Sequence, residues 1–149
     1  MLIVAEEAHK TDTGRQRHAN EDSYFAKAPL FAVADGMGGA QAGEVASRIA
    51  AGAFERGPRN RDASAEGQLE GIARKANREI HRLAQEDSSR AGMGTTLTAA
   101  MLRDDEVAFG HVGDSRAYLL RGGQPRRHLA GLSAAHSVGH GEDRRAGEV

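Results

Sequence analysis

Two apolar runs in this chain each end in an aspartate set among glycines. Leu30-Phe31-Ala32-Val33-Ala34 leads into Asp35-Gly36-Met37-Gly38-Gly39, and Val107-Ala108-Phe109-Gly110-His111-Val112 leads into Gly113-Asp114-Ser115-Arg116. Short apolar, β-rich runs read as buried strands. A strand that ends on a carboxylate and then on residues without side chains leaves an exposed acid beside open backbone. Hard divalent cations that keep their own waters suit such a place. A third acidic cluster, Asn20-Glu21-Asp22, precedes another apolar stretch and follows Arg17. Acids for a cation and an arginine for an anion point to phosphate chemistry.

The 149 residues fit one domain with a core of its own. With 20 Lys and Arg against 21 Asp and Glu, the charge gives no case for nucleic acid or an acidic membrane surface. Aromatic residues are too scarce for a base-stacking surface. The chain has no cysteine, which excludes disulfides, thiolate metal sites and a cysteine nucleophile, and suits a reducing cytosol. The first apolar residues meet acid at Glu6-Glu7, too early for a signal peptide, and no apolar run could span a bilayer. A cytoplasmic location is expected.

Leu2 to His9 and Ser23 to Ala34 read as strands, the second a hairpin turned near Lys27-Ala28-Pro29. Gln41 to Arg56 places Val45, Ile49, Ala53 and Phe54 at helical spacing. A second helix starts from Ser64 as N-cap and aligns Leu69, Ile72, Ala73, Ala76, Ile80, Leu83 and Ala84. Thr95 to Leu102, Glu106 to Val112 and Arg116 to Arg121 then follow with short connections, which predicts three antiparallel neighbours. The fold class is therefore segregated α+β, with helices on one face of an antiparallel sheet. From Gly122 the chain turns Gly-, Arg- and His-rich, and 124–149 is expected to be a divergent tail, a weak helix or nothing stable. That would leave open sheet edges.

Each candidate motif also has a plainer reading. Asp-Gly after a strand is usually a turn, yet one turn needs one glycine, and Gly36, Gly38 and Gly39 suggest a backbone that approaches a ligand. Gly113-Asp114-Ser115-Arg116 is not a nucleophile elbow, because Ala117 replaces the second glycine and strand rather than helix follows. Gly92-Met93-Gly94-Thr95-Thr96 lacks the lysine and the helix of a phosphate-cradling loop and reads as a flexible lead into a strand. His136 and His140 are four apart, but Ser137 stands where a zinc-protease helix carries glutamate. His9, His18, His81 and His111 read as surface or core residues. Arg15, Arg17 and His18 gain interest only from their nearness to Glu21-Asp22.

Six blocks, in order, carry a resemblance. They are Thr11-Asp12-Thr13-Gly14 through Arg17, Asn20-Glu21-Asp22, Val33-Ala34-Asp35-Gly36-Met37-Gly38-Gly39, Gly43-Glu44-Val45-Ala46-Ser47, Gly92-Met93-Gly94-Thr95-Thr96-Leu97-Thr98 and His111-Val112-Gly113-Asp114-Ser115-Arg116-Ala117-Tyr118. Together they resemble the metal-dependent protein serine/threonine phosphatases of type 2C, in their bacterial branch, from about Ala8 to about Gly123. The resemblance implies an antiparallel β-sandwich flanked by helices, with two to three Mn²⁺ or Mg²⁺ ions at one end. It implies that the Asp35 carboxylate bridges two metals and that the Gly36 carbonyl binds one. Asp22 and the outer-shell Glu21 would hold metal-bound waters, Arg17 would clamp the substrate phosphate, and Asp114 would serve a third cation. The implied substrate is a phosphorylated protein, the target of a serine/threonine kinase, with no nucleic acid and no membrane span. Some relatives carry His where this chain has Met37, so the leaving alkoxide would take its proton from a metal-bound water. Paired cations that acidify a water and neutralise an in-line displacement need no covalent intermediate, in keeping with the lack of a nucleophilic Cys or Ser.

The family's Ser-Asp-Gly and Pro-Asp-Asn blocks, which supply two further metal-binding aspartates, do not occur in the 149 residues. The segment 132–138 resembles a degraded form of the family's next motif, with Ala135 where aspartate is usual. The chain thus reads as C-terminally truncated, with Asp35 the only direct carboxylate for one core metal. Two functions stay open. One is a phosphatase impaired by truncation, and the other is an inactive remnant that binds partners through its sheet edges.

Overall fold

A computed structural model describes residues 2–15, 18–38, 42–127, 133–139 and 143–145. Strands β1 (Asp22–Lys27) and β2 (Leu30–Met37) form a hairpin about Ala28-Pro29, as the apolar pattern predicts. Helices α1 (Ala42–Arg56) and α2 (Ala65–Glu86) follow, then a 3₁₀ turn at Ser88–Arg90. The remaining strands are β3 (Gly94–Thr95), β4 (Leu97–Arg103), β5 (Glu106–Val112), β6 (Tyr118–Arg121), β7 (Gln124–Arg127), β8 (Ser133–Gly139) and β9 (Asp143–Arg145). Every ladder is antiparallel. The main sheet runs β1-β2-β4-β5-β8-β9, with β3 an extension on β2, and β6 pairs only with β7.

The period of two in β2 explains which face is covered. Leu30, Ala32 and Ala34 are buried while Val33 is half exposed, so one face takes the helices. Leu97, Ala99 and Met101 of β4 and Ala108 of β5 continue that face. On the helices, Ala50, Ala53, Phe54, Leu69, Ile72 and Ala76 close the core. Alanines along α1 let its backbone sit close to the sheet. The α2 start is the one the sequence predicts, with Ser64 Oγ accepting from the Gly67 N–H at 3.2 Å. No helix among the described residues is long and apolar enough to cross a membrane.

Ser47 ties α1 to the sheet. Fully buried, it donates to the Glu21 carbonyl at 2.5 Å and lies 3.0 Å from Ser23 Oγ. Ser47→Ala leaves that carbonyl with the Gly36 N–H as a partner and is expected to cost about 0.5–1.5 kcal/mol by urea unfolding. A loss below about 0.5 kcal/mol would show that the hydroxyl is dispensable.

Three expectations need correction. Leu2 to His9 is not a strand. The Leu2 N–H donates to the Asp104 carbonyl, and the His9 ring lies on Tyr24, but no ladder forms there. Strand propensity is satisfied only where a partner edge is free. The run 116–121 enters strand only at Tyr118 and does not pair with β5, because Gly113, at φ 105°, swings the chain off the sheet. The tail, predicted as weak helix or nothing stable, instead supplies β7, β8 and β9, with β8 on the edge that β5 leaves open. The described residues thus build helices on one face of an antiparallel sheet, the predicted α+β class.

Candidate active site

The β1–β2 register sets Asp22 directly opposite Asp35. Residues opposite each other in an antiparallel pair share a face. By alternation that face is the one away from the helices, since Ser23 and Ala34 lie on the other. Two like charges held as cross-strand neighbours repel, and a shared cation turns that penalty into attraction. The donor set therefore fits a hard divalent ion. It is incomplete, because among the described residues no three His, Cys, Asp or Glu side chains gather into a cation site.

The loop before β1 is held to this face by its own polar residues. Thr11 Oγ1 donates to Asp22 Oδ2 at 3.2 Å and accepts from Asn20 Nδ2 at 2.8 Å. The Asp22 N–H donates to Asn20 Oδ1 at 3.0 Å. Asp12 Oδ1 accepts from the Gly14 N–H at 2.7 Å, a side-chain turn that starts the segment leading to Arg17. Arg17 itself lies outside the described residues.

Glu21 goes the other way. Its carbonyl accepts from the Gly36 N–H at 3.2 Å, while its carboxylate lies against Gly43 in the first turn of α1. An acid there is favoured by the helix dipole. Gly36 sits in β2 opposite Thr95. A Cβ on it would meet the Gly43 carbonyl oxygen at 2.0 Å, so its missing side chain makes room for α1. The missing Gly36 side chain thus makes room for a helix, a use the sequence does not show.

Asp114 follows β5 at the same end of the sheet, exposed. His111 is buried, with Nδ1 2.9 Å from Thr98 Oγ1, a core histidine with a partner. A groove of about 850 Å³ between α2 and the sheet is lined by Leu69, Ile80, Met93 and Gly110 among others, and none of Asp22, Asp35 or Asp114 lines it. The acids at the strand tips and the apolar groove are therefore separate places on the molecule.

Two residues that sequence reading passed over hold Asp35 in place. The Asp35 carbonyl accepts from the Thr96 N–H at 2.9 Å and from Thr95 Oγ1 at 3.0 Å. The sign was available, since two hydroxyl residues follow Gly94 at the head of a strand, yet the loop reads as a flexible lead.

The family model for protein phosphatase 2C matches residues 13–137. The chain belongs to that family. The phosphatase 2C match therefore runs past Gly123, where the motif resemblance stops. The chain is 39% identical over 129 residues to the serine/threonine protein phosphatase PstP of Mycobacterium tuberculosis, covering 83% of this chain and 24% of that protein. It is 38% identical over 150 residues to the serine/threonine phosphatase stp of Listeria innocua, covering 94% and 58%. The crystal structure of the PstP catalytic domain in complex with two manganese ions superposes with a TM-score of 0.75 at 38% identity, over 80% of this chain and 53% of that one. The chain thus spans between a quarter and somewhat over half of the curated relatives named here.

Proposed function

We propose that this chain carries the substrate-facing acids of a metal-dependent phosphatase acting on phosphoserine and phosphothreonine in proteins. The observation that carries the reading is the Asp22–Asp35 cross-strand pair at the open end of the β1–β2 hairpin, away from its Ala28-Pro29 turn. Membership of a family whose similar members are serine/threonine phosphatases supports it. Asp35 would hold Mn²⁺ or Mg²⁺ with the Gly36 carbonyl, Asp22 and the outer Glu21 would bind those ions through water, and Asp114 would hold a further cation. Bound cations supply an acidified water and neutralise charge on the phosphoryl oxygens. Arg17 would grip the phosphate through its two-pronged guanidinium and orient it for in-line attack. The cytoplasm is the proposed setting, and targets of a serine/threonine kinase are the proposed substrates.

The incomplete carboxylate set favours a second reading, a phosphoprotein-binding remnant without turnover. One assay separates them. The full chain is incubated with a phosphothreonine peptide while Mn²⁺ is raised to millimolar levels, with a chelator as control. Phosphate release that follows Mn²⁺ supports the phosphatase. Peptide binding with no release above the chelator control overturns it for this chain and leaves the remnant.

A further inference from the structure

Asp35 and Asp114 sit on strand tips that do not touch through the sheet, because β4 lies between β2 and β5. One side chain spans the gap. Continuing the register from Val33–Thr98 to Gly36–Thr95 sets Asp35 opposite Thr96. In a regular narrow pair the two residues exchange both backbone bonds. Here the Thr96 N–H donates to the Asp35 carbonyl, but the Asp35 N–H donates to Thr96 Oγ1 at 3.0 Å. The Thr95 hydroxyl lies 2.9 Å from the Thr96 carbonyl and 3.0 Å from the Asp35 carbonyl, so its single proton is shared between them. The buried Thr96 hydroxyl also lies 2.9 Å from Ser115 Oγ, next to Asp114. Its methyl packs under Gly113, where an added Cβ would come within 2.9 Å of Thr96 Cγ2.

We propose that Thr96 is a positioning residue that couples the Asp35 tip to the Gly113–Ser115 turn, so that cation binding at Asp35 and at Asp114 depends on one hydroxyl. The proposal rests on the metal reading above for its cation arm, and on geometry alone for its coupling arm. With one proton and two lone pairs, the hydroxyl can accept from Asp35 and still donate to Ser115. The Thr96 hydroxyl bonds both tips. A distorted ladder held by a side chain is a device that backbone pairing alone cannot supply.

The test uses the full chain with Mn²⁺ alone as probe, and Thr96→Val, Thr96→Ser and Ser115→Ala. Without metal, Thr96→Val is expected to speed exchange of the Asp35 amide about 5–10-fold relative to the Ala32 amide in the same strand, while Thr96→Ser leaves it near wild type. Ser115→Ala, which makes no bond to Asp35, is expected to speed that amide several-fold through the shared hydroxyl. With Mn²⁺, read by calorimetry or electron spin resonance, Thr96→Val and Ser115→Ala each weaken uptake about 10-fold and Thr96→Ser does not. An Asp35 amide indifferent to Ser115→Ala overturns the coupling, and it decides the matter even if Thr96→Val fails to fold. Thr96→Ser behaving like Thr96→Val also overturns it, assigning the effect to the methyl. Wild type that takes up no Mn²⁺ removes the metal reading, while the exchange arm still judges the coupling.

Discussion

Gly36→Ala is expected to destabilise the chain by on the order of 3 kcal/mol or more, the largest effect of any single methyl added here. The reason is backbone against backbone. The new Cβ would lie 2.0 Å from the Gly43 oxygen, 2.3 Å from its carbonyl carbon and 2.9 Å from the Glu21 oxygen, none of which can turn aside like a flexible side chain. Relief requires α1 to slide off β2, and with it go the Ser47 bond and the core under Phe54. Gly71→Ala is the matched control. It lies exposed in α2 with open space around its would-be Cβ, so it should stabilise by about 0.5–1 kcal/mol through helix propensity. Urea unfolding followed by circular dichroism reads both. A Gly36→Ala protein within about 1 kcal/mol of wild type would mean the strand–helix approach is looser than described.

Asp35→Asn should separate stability from chemistry. Asparagine keeps the size and the backbone bonds to Thr95 and Thr96, so the fold is expected to persist. Removing one of two facing negative charges relieves cross-strand repulsion with Asp22. The unfolding midpoint of the metal-free variant should therefore equal or exceed that of wild type. Chemistry moves in the opposite direction. Losing the carboxylate that would hold the cations removes several kcal/mol of charge stabilisation, so Mn²⁺-dependent phosphate release should fall by about 100-fold or more. Asp22→Asn, one step further from the cations in the proposed arrangement, should lose about 10-fold. Calorimetric Mn²⁺ titration alongside the rate assay shows whether binding or turnover carries the loss. An Asp35→Asn chain that keeps wild-type Mn²⁺ uptake would refute the placement of the cations.

Much of this was legible in the residues themselves. Apolar alternation over 30–34 and 106–112, the helical stripe from Leu69 to Ile80 and the Ser64 cap are local signals, and the fold follows them. That Asp35 and Asp114 fall near strand ends was legible too, because each follows an apolar run that burial makes a strand. What failed involved partners distant in sequence. Leu2 to His9 has strand composition but no ladder, and the polar tail becomes strand because β5 offers it an edge.

Composition and pattern alone determined that the chain makes strands whose ends carry acids, since burial of apolar runs forces polar residues and glycines to the tips. Only the tertiary structure decided which acids meet. The hairpin register puts Asp22 opposite Asp35 and turns Glu21 toward α1, although the two are adjacent in the chain. It also decided that Gly36 serves a helix and that Thr96 joins two tips, because contacts of that kind depend on separations of a few ångströms that no one-dimensional pattern records.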